Sequence, residues 1–196
     1  MIHVIGLAGP AHSGKTTLAG YLQDELLDFH VYHLADPLKA AVNAMFGWSH
    51  EHSHGKLKDV VDPLVGISPR TAYQRFGTEF GRNHLHDLFP ELVFPRGEAW
   101  LRRAHRELDD LGSLIIPDVR YEDEATWVRE QGGVIVHVRR DGVFGLKDEN
   151  NKLHSSEAGI VVRSGGNDLI PRVCSTLGEL RVESHKIIDA VRGYRL

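Results

Sequence analysis

Cysteine is almost absent from this chain: Cys174 stands alone among 196 residues. No intramolecular disulfide can form, so a stapled secreted scaffold is excluded and a reducing compartment, the cytoplasm, is expected. Long apolar runs are missing as well. Nothing approaches the roughly 18 residues of a membrane span, and the opening MIHVIGLAGPAHSGK lacks the basic segment and cleavage site of a signal peptide. Residue 1 is therefore expected to belong to the fold. A basic excess is missing too, the formal charge being −4, which argues against a nucleic-acid partner. There is no internal repeat, low-complexity tract or linker, so one domain spanning 1–196 is expected. Most uneven is arginine: the first 69 residues have none, whereas residues 70–140 hold eleven and no lysine. Guanidinium groups present planar, paired donors suited to phosphate oxygens, so this bias points to local anion recognition.

What is present reads as an alternation of strands and helices. Residues 2–9 form a β-branched apolar run, and 16–27 have helical spacing. A second strand is predicted over 30–35 and a helix from Pro37 to about 48, with polar, irregular chain over 48–68. Helices follow at 68–83 and 97–112, a buried-type strand at 113–120, a helix at 122–133 and a strand at 134–140. Residues 141–159 lack periodicity and read as a long loop or lid, 167–170 as a last short strand and 175–194 as a closing helix. This order predicts an α/β fold, a three-layer α/β/α sandwich around a parallel sheet. Of thirteen histidines only His50, His52 and His54 cluster. A solvated loop is the expected reading there, and a metal site the alternative.

Residues 9–16, GPAHSGKT, satisfy G-x-x-x-x-G-K-[ST] between a predicted strand and a predicted helix. Backbone N–H groups of such a loop converge on phosphate oxygens at a helix N-terminus, whose partial positive charge favours the anion. Ala11, His12, Ser13, Gly14, Lys15, Thr16 and Thr17 are the candidate ATP-binding residues, with Thr17, Gly6 and Gly9 placed first in turn and helix-start geometry. Lys15 would reach the β and γ phosphates, and the Thr16 hydroxyl a Mg²⁺ ion. Asp118, after the apolar run 113–117, is the candidate carboxylate for the same metal, its alternative being the cap of the next helix. Arg120 would share that crevice. No N-K-x-D motif marks a guanine-specific switch, and the length leaves no room for motor subdomains. Transfer of a phosphoryl group onto a phosphorylated acceptor fits best.

Six segments in matching order carry a resemblance: residues 9–16, LADPLK at 34–39, PRTAYQRFGTEFGRN at 69–83, LIIPDVR at 114–120, GGVIVHVRRDG at 132–142 and HSSEAG at 154–159. The chain resembles the phage-type deoxynucleoside monophosphate kinases, a branch of the P-loop nucleoside monophosphate kinase group. That resemblance implies conversion of a deoxynucleoside 5′-monophosphate (dNMP) to the diphosphate with ATP and Mg²⁺, in the host cytoplasm if phage-encoded, and a homodimer. It also implies an acceptor-binding helical region over about 37–110 and a lid over about 139–159.

Carried over residue by residue, Arg70 resembles the family's grip on the acceptor phosphate, and Gln74, one helical turn later, a hydrogen-bonding partner of the base; Gly77 and Thr78 complete the pattern. Asp36 and Lys39 match the acceptor-side loop and helix start. Trp100 matches a family tryptophan that lines the nucleoside pocket or sits in the core. Arg139 and Arg140 lead into the lid segment, one of them expected to reach the transferring phosphoryl group, and His154 and Glu157 belong to its H-x-S-E pattern. The sequence departs from the family at 173–175, Val-Cys-Ser in place of an Asn-x-Gly turn, which leaves the donor base open. Two rivals stay open: a phosphomevalonate kinase-like enzyme and a nucleotide-binding regulatory module.

Overall fold

Val4–Ala8 form a strand, β1, with every residue buried, and the computed structural model explains why by placing it third of five in a sheet of order β2-β3-β1-β4-β5. The structure describes residues 2–143, 159–163 and 168–193. The remaining strands are β2 (His30–Val31), β3 (Leu114–Val119), β4 (Val134–His137) and β5 (Asp168–Leu169). All pairings are parallel, with Ile5 opposite both Ile115 and Val134. A parallel sheet is covered on both faces, which is why β1, β3 and β4 read as continuous apolar runs. On one face Leu18 and Leu22 of α1 (Lys15–Glu25) and Ile188 and Val191 of α8 (Leu177–Gly193) pack with Leu7, Ile115, Val134 and Val136. On the other, Val128 of α7 (Glu122–Glu130) presses on Gly6 so closely that a Cβ there would lie 3.2 Å from its Cγ2. This is the α/β fold expected from the alternation.

Residues 1–33 with 105–196 make one compact unit and 34–104 another. The second unit contains α2 (Asp36–Phe46), α3 (His50–His54), a 3₁₀ turn (Lys56–Asp59), α4 (Pro69–Arg75), a π-helical stretch (Phe76–His84) and α5 (Leu85–Leu88); α6 covers Ala99–Leu111. Its core gathers Leu38, Val42, Trp48, Ala72 and Tyr73. A polar chain runs through it: the Tyr73 hydroxyl donates to Asn43 Oδ1 at 2.6 Å, and Asn43 Nδ2 donates to Ser53 Oγ at 2.6 Å. With Ser53 and Tyr73 buried and Asn43 half-buried, these bonds tie α2, α3 and α4 together.

Four local expectations are corrected. The histidine cluster is helical, because Ser49 and His52 form a capping box that starts α3. His50 and His54 stack one turn apart, ring centroids 4.6 Å, while His52 stacks on Trp48. No group of three or more His, Cys, Asp or Glu among the described residues is placed to hold a metal ion. The expected helix over 68–83 changes pitch at Phe76, where Gly81 admits the Trp100 ring: a Cβ on Gly81 would sit 2.5 Å from Trp100 Cζ2. The second strand is only His30–Val31, and β4 stops at His137, with Arg140 reduced to an isolated bridge to Cys174.

Two adjacent glycines after α7 separate two physical demands. Gly132 has φ +68° and open space around it, whereas at Gly133 a Cβ would meet Val4 O at 2.4 Å and Val128 O at 2.6 Å. Gly132→Ala is expected to cost about 1 kcal/mol. Gly133→Ala, which must displace two backbone carbonyls, is expected to cost about 3 kcal/mol. Urea unfolding of the two variants checks this, and equal losses would contradict it.

Candidate active site

The loop between β1 and α1 takes its shape from three positive-φ residues, Gly9 at +147°, His12 at +64° and Gly14 at +98°. Gly9 is obligatory on space as well, since a Cβ would lie 2.2 Å from Val138 O. Gly14 occupies the N-cap of α1, and no side chain caps that helix end. Left-handed residues on either side of Ser13 are the backbone pattern that anion-binding loops use at a helix N-terminus. Ser13 and Lys15 are buried; Ala11 and Gly14 are half-buried; His12, Thr16 and Thr17 are exposed. The Lys15 ammonium donates to Gly9 O at 2.8 Å and Pro10 O at 2.7 Å, so the loop's own carbonyls hold the cation inside its curve.

Asp118 is the penultimate residue of β3 and half-buried. The helix cap considered as its alternative role is made by Glu124, whose Oε2 accepts from Arg120 N at 2.7 Å and Tyr121 N at 3.1 Å. Beside the start of the loop lies a pocket of about 150 Å³, lined by Ala8, Gly9, Pro10, Val119, Arg120, His137, Val138 and Arg139, with Gly159, Ile160 and Val162 as a further wall. Arg120 and Arg139 therefore share one pocket. Arg140 does not line it; its backbone bridges to Cys174, whose N–H donates to Arg139 O at 3.2 Å. In the departing turn, Glu179 Oε2 accepts from Ser175 N at 2.7 Å and Thr176 N at 3.1 Å.

In the 34–104 unit, Arg70 and Gln74 lie one turn apart on α4, both half-buried. Arg70 makes a two-pronged ion pair with Asp59, Nε to Oδ1 and Nη2 to Oδ2, the latter at 3.1 Å. Arg70 holds the Asp59 carboxyl below its ordinary pKa, chiefly through this hydrogen bonding. Lys39 Nζ bridges Asp36 Oδ1 at 3.0 Å and His54 Nε2 at 3.2 Å. Burial is the main cause that lowers the His54 pKa, Lys39 adding to it. Trp100 packs on Gly81 and directs Nε1 to Gly77 O at 3.4 Å. His154 and Glu157, with the rest of 144–158, lie outside the described residues.

Sequence reasoning missed a charged cluster beside the pocket. Asp168 of β5, its side chain 1% exposed, accepts from Arg129 Nε at 3.0 Å and Nη2 at 2.8 Å. It also accepts from Arg163 N at 2.9 Å and faces His137 Nε2 at 3.1 Å. Burial raises the Asp168 pKa, but Arg129, the Arg163 amide and His137 together outweigh it and leave the carboxyl at about 2. Arg129 Nη1 donates to Glu122 Oε1 at 2.9 Å, and Glu122 Oε2 accepts from Val161 N at 3.1 Å. No periodicity announces these residues. The arginine bias alone touched the cluster, through Arg129.

No protein-family model matches the chain. A protein of Acanthamoeba polyphaga mimivirus, provisionally named deoxynucleotide monophosphate kinase, is 34% identical over 146 residues, which cover 71% of this chain and 75% of that relative. No helix among the described residues is long and apolar enough to cross a membrane.

Because Asp168 is acidified by folding, its contribution is complete above the ordinary carboxylate pKa of 3.8 and is lost as pH falls toward about 2. That contribution is about 2 kcal/mol. Wild-type stability should therefore decline between about pH 5 and pH 2 more steeply than that of Asp168→Asn. Denaturant titrations across that range measure the difference, and coincident acid limbs would contradict it.

Proposed function

The chain belongs to the deoxynucleotide monophosphate kinase family, and on that premise we propose that it transfers the γ-phosphoryl group of ATP to a dNMP, yielding the dNDP and ADP. The observation that carries this reading is the glycine-shaped loop at 9–16 before α1, with Lys15 held in its curve and Arg120 and Arg139 lining the pocket beside it. A nucleotide kinase must hold a polyphosphate and neutralise charge where the phosphoryl group moves. Lys15 sits inside that loop, and the two guanidinium groups add fixed positive charge next to it.

An oxygen of the acceptor phosphate attacks the γ phosphorus, the bond from that phosphorus to the β–γ bridging oxygen breaks, and the electron pair leaves on ADP. The acceptor oxygen is already anionic, so no general base is required; positioning and charge neutralisation supply the catalysis. The Thr16 hydroxyl and the Asp118 carboxylate are hard oxygen donors, the set Mg²⁺ takes, and are the residues that would hold it. Held there, Mg²⁺ would supply neutralisation of phosphate charge. On the acceptor side Arg70 grips the monophosphate and Gln74 the base, with Lys39, Asp36 and Trp100 around them. The Asp59 pair supports the Arg70 role, because a planar oxyanion already engages the guanidinium fork in the manner a phosphate would. Of the two lid-side arginines, Arg139, which lines the pocket, is the one assigned to the transferring phosphoryl group rather than Arg140. Membership of the phage-type branch, a host-cytoplasmic location and a homodimer complete the reading.

An assay with ATP and a panel of dNMPs, NMPs and phosphomevalonate tests it; turnover of one or more dNMPs is expected, and turnover of phosphomevalonate alone would overturn it. Two variants divide the site. Lys15→Ala is expected to abolish turnover, whereas Arg70→Ala should raise the dNMP KM by about tenfold or more with ATP affinity little changed. An Arg70→Ala enzyme with wild-type KM and kcat would remove Arg70 from the acceptor site.

A further inference from the structure

The cluster around Arg129 is costly to assemble, since desolvating several charges is repaid only by good geometry and full pairing. Its pairing is of that quality: Arg129 engages two carboxylates and also donates to Val161 O at 3.1 Å. What it holds is a short irregular segment. Of residues 159–163, Val161 is gripped at both backbone groups, N–H to Glu122 and C=O from Arg129, and the Arg163 N–H goes to Asp168. The Arg163 guanidinium returns to Glu122 at 3.0 Å and to Thr126 Oγ1 at 3.2 Å. The segment has no strand or helix of its own, so among the described residues these bonds set its register. Its neighbours in sequence, Ile160 and Val162, form the apolar wall of the pocket that contains Gly9, Arg120 and Arg139.

We propose that Arg129, with Glu122 and Asp168, is a positioning group for phosphoryl transfer: it fixes the Ile160–Val162 wall of the pocket so that, with substrates bound, water is kept from the phosphoryl group moving past Arg120 and Arg139. This rests on the kinase reading above. An apolar wall lowers the local dielectric, which strengthens each guanidinium's interaction with the moving phosphoryl group and keeps water away from it. If water takes the acceptor's place, its oxygen bonds to the γ phosphorus, the same bridging bond breaks, and ADP, inorganic phosphate and a proton result. Arg129 itself touches neither substrate, so the signature of its role is the partition between the two acceptors.

The test is Glu122→Gln at a half-exposed position, which removes the charge and leaves one acceptor oxygen where the Val161 amide and two guanidinium groups now share two, together with Arg129→Lys, which keeps the charge and loses the fork. For each, ADP and dNDP are quantified separately, ATP affinity is measured by titration, and amide exchange is followed at Val161 and Arg163. The expected result is a fall of about tenfold in kcat for the dNMP, ADP formed in clear excess over dNDP, ATP affinity within about twofold of wild type, and faster exchange at both amides. Glu122→Gln keeps the question answerable if Arg129→Lys fails to fold. Folded variants with wild-type kcat and one ADP per dNDP would overturn the inference while leaving the kinase reading intact. A wild-type chain that phosphorylates no dNMP would instead overturn that reading and this inference with it.

Discussion

The approach of the Val138 carbonyl to Gly9, close enough that a Cβ would sit 2.2 Å from it, is the constraint on which the site depends. It arises where β1 and β4 end side by side in a parallel sheet. The chain leaving β1 must bend away through a conformation that L side chains rarely adopt. That bend starts the loop at 9–16, and Arg139, next after Val138, lines the pocket beside the loop's start. Ligand sites of parallel α/β sheets form outside the carboxyl ends of the strands for this reason: loops there diverge and leave a crevice. In this chain Ala8, Val119 and Val138 make the floor of that crevice.

The arginine-rich middle third resolves into separate tasks. Arg120 and Arg139 line the pocket, and Arg70 sits on α4 paired with Asp59. Arg129 is half-buried between the Glu122 and Asp168 carboxylates, while Arg96 and Arg102 make surface pairs with Asp87 and Glu98. Exposed pairs of the last kind contribute little to stability. The net charge of −4 therefore conceals carboxylates that hold guanidinium groups in place, and of these arginines Arg120 and Arg139 line the pocket.

What was legible from sequence alone is what depends on short-range pattern. The apolar runs of β1, β3 and β4, the glycine positions of the loop at 9–16 and the helical spacing of α1, α2, α6, α7 and α8 all lie within a few residues of each other. Arg70 and Gln74 were singled out by the family resemblance, and helical spacing then puts them on one face of α4. The Arg129–Asp168 pair spans 39 residues and the Glu122–Val161 bond another 39, so only the folded sheet brings them together. The histidine segment misled because alternation of polar residues resembles an extended loop, whereas the Ser49 cap and the rings of Trp48 and His52 make it a helix. The pitch change at Phe76 was hidden too, since it depends on Trp100 fitting against Gly81 from a different helix.

Phosphoryl transfer to a monophosphate acceptor makes a claim about one bond, and isotope labelling reads that bond directly. With ATP labelled at the γ phosphorus and a dNMP acceptor, the label should appear at the β position of the dNDP. Label released only as inorganic phosphate, or retained in ATP with every dNMP offered, would contradict the account.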